Sequence, residues 1–465
     1  MSFSRRSFLA SSLAPAALAQ RRKKDEPSGP RPNVLLILAD DLAAWMLGCY
    51  GNKEIRTPNI DYLARGGMKF LNNFVCTPIC SASRATLFTG RTPRQHGIHD
   101  FLTPSPIAQP PQGQQAPPPD FHSKEVMLSD LLARNGYRCG YTGKWHMGQD
   151  EKPGHGFSYT YTMTGGSRSY VDPEMYLNGS LVKETGYLTD LTTKRSLDFL
   201  DQQSAAQPFF LCASYLNPHT PYEGHPQKYY DLYQNTKFET FGYEPAAPNA
   251  LREKGLLKDT VGNLRRCAAA TTALDDQIPL LMKKLADKGL RDNTLVIFTG
   301  DNGFLLGRHG LWSKGLASDP INMYEEVMRV PMIWNWPGKT PVEGSTPELV
   351  SFYDFVPSVC DAVGIAAPTD RGLCGRSYLK LAKAEPFAKK ETWRSTVFGH
   401  FRNTEMARDQ RFKIVVRNNA EGPNELYDLK LDPNERRNQY ENPQFITVRD
   451  RLLKDLAAWR QQTSA

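Results

Sequence analysis

The sequence predicts an α/β protein: a layered sandwich with a large, mostly parallel sheet between helices, followed by a smaller α+β unit with a short antiparallel sheet. Three observations carry this. Short apolar runs recur, each ending in polar groups: residues 33–39 before Asp40-Asp41, 208–213 before Asn217-Pro218-His219, and 294–299 before Gly300-Asp301-Asn302. Runs without alternation read as strands buried on both faces, as in parallel sheets. Helical patterns lie between them, at 57–67 with Pro58 near the start, at 126–134 closed by Asn135-Gly136, and at 271–285. After about Gly375 the grammar changes to β-like runs at 395–399 and 412–416, then a terminal helix over 446–460. In open α/β sheets ligands bind beyond the carboxyl ends of the strands, so the three polar strand ends can converge on one site.

At 465 residues, with 40% hydrophobic and 23% charged residues, the chain has ordinary globular composition and room for a large core. No apolar run reaches membrane-span length, so no stable membrane insertion is expected. Four segments follow: 1–19, 20–32, 33–375 and 376–465. The first reads as a twin-arginine signal, with Arg5-Arg6, a weakly apolar run and Ala17-Leu18-Ala19 before the cut. It implies handling by the twin-arginine machinery and a periplasmic or extracellular location. Residues 20–32 read as a disordered leader, and Arg21-Arg22-Lys23-Lys24 as a solvated run within it, not a nucleic-acid site. The net charge of +8 falls to about +6 without Arg5 and Arg6, a mild excess compatible with an anionic substrate. Eight cysteines show neither CxxC pairs nor Cys/His zinc spacing, which argues against a disulfide framework or structural zinc. The Pro/Gln-rich stretch 103–120 reads as a long surface loop.

Residues 78–90 read Pro-Ile-Cys-Ser-Ala-Ser-Arg-Ala-Thr-Leu-Phe-Thr-Gly, a cysteine followed by Ser-Ala-Ser-Arg and a helix-forming stretch. With Asp40-Asp41 and Asp301-Asn302, and with matches running from about Asn33 to the Glu425–Asp428 segment, the chain resembles the type I sulfatases of the alkaline-phosphatase-like superfamily. The resemblance implies hydrolysis of a sulfate monoester through a formylglycine made from Cys80 by a maturase. It implies a metal set of Asp40, Asp41, Asp301, Asn302 and modified Cys80. An all-oxygen set suits a hard cation, and the family precedent is one calcium ion. Arg84 and Lys144 are implied to hold the formylglycine and the sulfate, and His146 to take the proton from the covalent hemiacetal. His219 and Lys314 are implied to bind sulfate and protonate the leaving oxygen. Proline is usual where this chain has Ala82, and radical maturases accept alanine there. Relatives that hydrolyse phosphodiesters or phosphonate monoesters, and some sulfatases, carry histidine at the place of Asn302; a phosphodiester or phosphonate monoester hydrolase is the alternative on this scaffold. A secreted carbohydrate-binding relative with Cys80 left as a thiol is another.

Other residues read as structural. His96, Arg308 and His309 suit turns or loop caps; Glu325, Glu326 and Arg329 suit an ion-pair network; Trp312, Trp334 and Trp336 suit the core. The substrate class suggested by an exported sulfatase is a sulfated polysaccharide or its oligosaccharides.

Overall fold

The computed structural model describes residues 30–103, 115–165, 169–388, 391–418 and 422–464. The expected export signal, most of the expected leader and residues 104–114 of the Pro/Gln-rich stretch lie outside them. The strands of the large sheet are Asn33–Asp40 (β1), Met68–Phe74 (β2), Arg138–Gly143 (β3), Phe157–Met163 (β4), Glu174–Leu177 (β5), Ser180–Lys183 (β6), Phe209–Pro218 (β7), Thr294–Gly300 (β8), Met332–Asn335 (β9) and Gly344–Ser351 (β10). Their spatial order is β10-β2-β9-β8-β1-β7-β3-β4-β5-β6. The central strands β8, β1, β7, β3 and β4 are all parallel, while antiparallel pairing enters at β9, β5 and β6.

Register gathers the functional strand ends. Gly143 lies opposite Ser214, Ser214 opposite Leu38, and Ala39 opposite Gly300. The residues that follow, Lys144, Asp40 and Asp301, therefore leave the sheet at one edge. Along β1 the pleat sends Val34, Leu36 and Leu38 into the core on one face, and Leu35, Ile37 and Ala39 into the core on the other. All six are fully buried. That two-sided burial is why the run shows no polar alternation.

The helical pattern at 271–285 is divided in the structure between Thr260–Asp275 and Ile278–Asp287. Pro279 explains the break: in a continuous helix its ring would meet the Asp275 carbonyl and supply no donor, but at the second position of a new helix the missing N–H is harmless. Strand β7 is longer than its apolar run, extending to Pro218 and delivering His219 to the sheet edge.

The smaller sheet is a sequential antiparallel meander of Thr396–Phe401 (β11), Thr404–Asp409 (β12), Phe412–Arg417 (β13) and Glu425–Asp428 (β14). The helix Ile446–Thr463 covers it through Leu452, Leu456 and Trp459 against Ile414 and Leu426. Buried Lys413 ties this unit to the short helix Glu325–Met328, pairing with Glu435 at 2.5 Å and Glu325 at 3.4 Å and donating to the Met323 carbonyl. Glu326 pairs with Arg308 and His309. The same helix supports the site from below, since Val327 O accepts Gly303 N–H and Met328 O accepts Val75 N–H. Trp312 and Trp334 are fully buried and Trp336 nearly so.

Candidate active site

Cys80 is the first residue of the helix Cys80–Thr89, whose ten side chains are all buried. Extended Ile79 precedes it, and Gly90 at φ 70 ends it, its N–H bonded to Thr86 O. The unpaired N–H groups and positive dipole end of the first turn therefore lie where an anion is favoured. Cys80 Sγ is 2.8 Å from Lys314 Nζ, 3.4 Å from Asp40 Oδ1 and 3.7 Å from Lys144 Nζ. Burial, with Asp40 next, pushes the thiol far above its ordinary range in spite of the two lysines. Left as a thiol, Cys80 would be a poor nucleophile at neutral pH.

The carboxylates form one layer. Asp40 ends β1, and Asp41 takes a left-handed backbone at φ 62. Asp41 Oδ1 accepts from Asn302 Nδ2 at 2.7 Å and from Lys314, while Asp301 Oδ1 accepts the Asp41 N–H at 3.1 Å. Burial alone would raise the Asp40 carboxyl, but Lys144, His219, Arg84 and Lys314 outweigh it and hold the group well below the usual range. Asp301 goes the other way: burial and then Asp40 push it up to about 7 despite Arg84.

Two observations fit a cation here. Buried Asn302 Oδ1 has no hydrogen-bond partner among the described residues, although its amide nitrogen is bonded. Such an orphan acceptor is costly unless a ligand or ion meets it. Ligand atoms of Asp40, Asp41, Cys80 and His219 also lie within 4.8 Å of one another. The charges agree with this. Asp40, Asp41 and Asp301 are paired with Lys144, Lys314 and Arg84, so a divalent cation would add the positive charge that attracts an anion.

Arg84 holds the layer to the strand ends. Its Nε donates to Asp301 Oδ2 at 2.8 Å, and one terminal nitrogen donates to Lys144 O at 2.6 Å and Ser214 Oγ at 2.8 Å. Lys144 Nζ sits 2.5 Å from Asp40 Oδ2. His146 lies one step away, its ring edge-on to Phe101 with centroids 4.3 Å apart. Its Nε2 is 3.3 Å from Leu102 O, and a carbonyl only accepts, so the proton is on Nε2. Its Nδ1 is then a bare acceptor, buried and without a partner among the described residues. Burial, followed by Lys144 and Arg84, holds His146 neutral far below its ordinary range. His219 directs Nε2 to Asp41 Oδ2 at 3.5 Å and Nδ1 to Thr220 O at 2.5 Å.

A cavity of about 170 Å³ opens over this layer, lined by Asp41, His219, Lys314 and Phe101 among others. The structure thus gathers Cys80, Arg84, Lys144, Lys314, His219, Asp40, Asp41, Asp301 and Asn302, with His146 beside them. Ser214, Tyr141, Phe101, Arg252 and Glu253 also belong to the surroundings, although nothing in the sequence patterns marked them. Ser214 could have been found, because the parallel register of the strand that leads to His219 puts it beside Gly143.

Residues 32–365 match the family model described as Sulfatase, and residues 307–462 match that of the N-sulphoglucosamine sulphohydrolase C-terminal region. The chain belongs to the sulfatase family. It is a sulfuric ester hydrolase. The N-acetylglucosamine-6-O-sulfatase of Bacteroides thetaiotaomicron is 25% identical over 97% of this chain and 90% of its own length. An ulvan-active sulfatase of Formosa agariphila is 27% identical, covering 92% of this chain and 81% of its own. A solved protein bound to its substrate, D-glucosamine-2-N,6-O-disulfate, superposes with a TM-score of 0.78 at 24% identity, over 93% of this chain and 98% of that one. The fold of this sulfatase is accordingly the alkaline-phosphatase-like sandwich, with its small antiparallel sheet.

Proposed function

We propose that this sulfatase hydrolyses sulfate monoesters of carbohydrates through a formylglycine hydrate derived from Cys80, with one calcium ion. The observation that carries the reading is the meeting of Cys80 Sγ with Lys314, Lys144 and Asp40 at the start of a buried helix. A thiol pushed so far up is of little use unmodified, whereas an aldehyde hydrate offers two hydroxyls at the same point. The relatives named N-acetylglucosamine-6-O-sulfatase and ulvan-active sulfatase support a sulfated carbohydrate as substrate.

The hydrate would supply one hydroxyl, in its ionised form, to bond to sulfur as the S–O bond to the sugar breaks. Lys144 and Arg84 hold the hydrate and the sulfate oxygens, with Lys314 facing them across Asp41. His219 and Lys314, on the cavity side, give the departing sugar oxygen its proton. His146, with its bare Nδ1, takes the proton from the remaining hydroxyl; the C–O bond to sulfate then breaks and the aldehyde returns. Calcium, held by Asp40, Asp41, Asp301 and Asn302, would supply positive charge against the sulfate oxygens. Export by the twin-arginine route to the periplasm or beyond, and a maturase tolerant of Ala82, complete the reading.

Tryptic mass spectrometry of the Cys80 peptide from the native host, with Cys80→Ala as control on an aryl sulfate, tests it. A loss of about 18 Da with activity absent from the control supports the mechanism. An intact thiol in an active enzyme overturns it.

A further inference from the structure

The cavity that Asp41, His219 and Lys314 line is bounded by more than the site itself. Its lining also includes apolar Ile79, Phe101 and Leu316, together with two consecutive charged residues, Arg252 and Glu253. Consecutive side chains of a regular helix or strand point apart. Here Glu253 adopts a left-handed backbone at φ 55, just before the turn Lys254–Asp259, and both residues line the same space. A non-glycine residue in that region is uncommon and is held there by its surroundings. One tether is visible: Thr220 Oγ1 donates to Glu253 Oε1 at 3.0 Å, and Thr220 O in turn meets His219 Nδ1. Glu253 is thus fixed to the His219 arm.

The chemistry of this pair is selective. A guanidinium has five donors and no acceptor, in a fork that fits carboxylate or sulfate oxygens; a carboxylate only accepts, and suits a hydroxyl. At about 170 Å³ the enclosed space is below the roughly 300–1,000 Å³ of pockets that take whole drug-sized ligands, so it admits the sulfated residue and little more.

We infer that Arg252 is a specificity residue that binds a second anionic group, a carboxylate or a further sulfate, on or next to the sulfated sugar, while Glu253 accepts a hydroxyl beside it. This rests on the sulfatase reading of the same site and names the substrate class within it: sugars carrying two anions.

The test compares wild type, Arg252→Gln and Arg252→Lys in holoenzyme form. Inhibition of 4-nitrophenyl sulfate hydrolysis is measured for matched sugars with one or two anions: hexosamine 6-sulfate against its N,6-disulfate, and a sulfated hexose against the sulfated uronic acid. The Tm shift with each sugar reads binding independently of turnover. Wild type is expected to favour at least one two-anion sugar by about tenfold. Arg252→Gln should bring that ratio close to one, and Arg252→Lys should restore it in part. No preference in wild type, a preference unchanged in Arg252→Gln, or a loss of aryl-sulfate kcat/KM as large as the change in ratio would overturn the inference. The two readings fail separately. Hydrolysis of the aryl sulfate without a two-anion preference removes only Arg252's role; a Tm preference without any hydrolysis removes the sulfatase mechanism and leaves the binding site.

Discussion

Gly143→Ala is the sharpest probe of how the sheet edge holds the site. Gly143 ends β3 at φ +98, and a Cβ placed there would sit 1.8 Å from the Ser214 carbonyl oxygen and 3.2 Å from Thr192 Cγ2. That carbonyl cannot simply withdraw, because it accepts the Lys144 N–H at 3.0 Å, while Ser214 Oγ donates to Lys144 O at 2.8 Å. Alanine therefore carries two costs: about 1–2 kcal/mol for a left-handed backbone and about 1–3 kcal/mol for overpacking. With unfolding entropy of about 2.1 cal/mol/K per residue, a 465-residue chain loses about 1 °C of Tm per kcal/mol, so a fall of about 2–5 °C is expected. The larger effect should be on turnover. Lys144 would move against Asp40 and Cys80, and a displacement of about 1 Å can cost about 100-fold in rate. Gly136→Ala is the control, since it shares positive φ at +87 but has nothing within 4 Å of the new methyl. It should lose about 1–2 °C and keep its activity. Differential scanning fluorimetry and aryl-sulfate kinetics read both. If Gly143→Ala behaves like Gly136→Ala in each assay, the close approach to Ser214 does not govern Lys144 and the reasoning fails.

Three further outcomes are expected. Calcium at about 100 times its Kd should raise Tm by about 3 °C over chelator-treated protein, from about 2.7 kcal/mol of linkage; an unchanged Tm would speak against a metal at Asp40, Asp41, Asp301 and Asn302. His146→Asn should lower kcat by about 10² to 10⁴ and let the sulfated covalent intermediate build up in intact-protein mass spectra, whereas an unaltered kcat would remove His146 as the base. Burial holds His225 at about 4 against an ordinary 6.5, so between those values the unfolded chain takes up a proton that the folded one refuses. Stability is then complete above about pH 6.5 and declines by about 3 kcal/mol as pH falls towards 4, and His225→Phe should flatten that part of a Tm-against-pH curve.

Much of the site was legible because its residues sit where the chain's grammar changes. Asp40-Asp41 and Asp301-Asn302 follow buried strands directly, and Cys80 opens a helix, so pattern and chemistry coincide at the same positions. The supporting contacts were not legible in that way. Arg84 reaches Ser214 across 130 positions, and only the register of three strands places them together. Arg252 and Glu253 lie in irregular chain, where no periodicity exists to read and a left-handed backbone decides which way they face. The division of 271–285 was signalled by Pro279, but the apolar spacing continues across it and hides the interruption.

The buried Lys413 has a consequence for engineering and for inheritance alike. It stands between Glu325 on one sheet's side and Glu435 on the other's, and the helix that carries Glu325 also receives the Gly303 N–H beside Asn302. A chain cut before β11, or one fitted with a foreign C-terminal segment lacking Lys413 and Arg408, would leave the Glu325 carboxylate without its partners from that segment, beneath the strand that leads to Asp301. Breaking such a buried pair typically costs about 3–5 kcal/mol. The terminal unit therefore cannot be traded as a module between relatives unless its lysine and the two glutamates travel together.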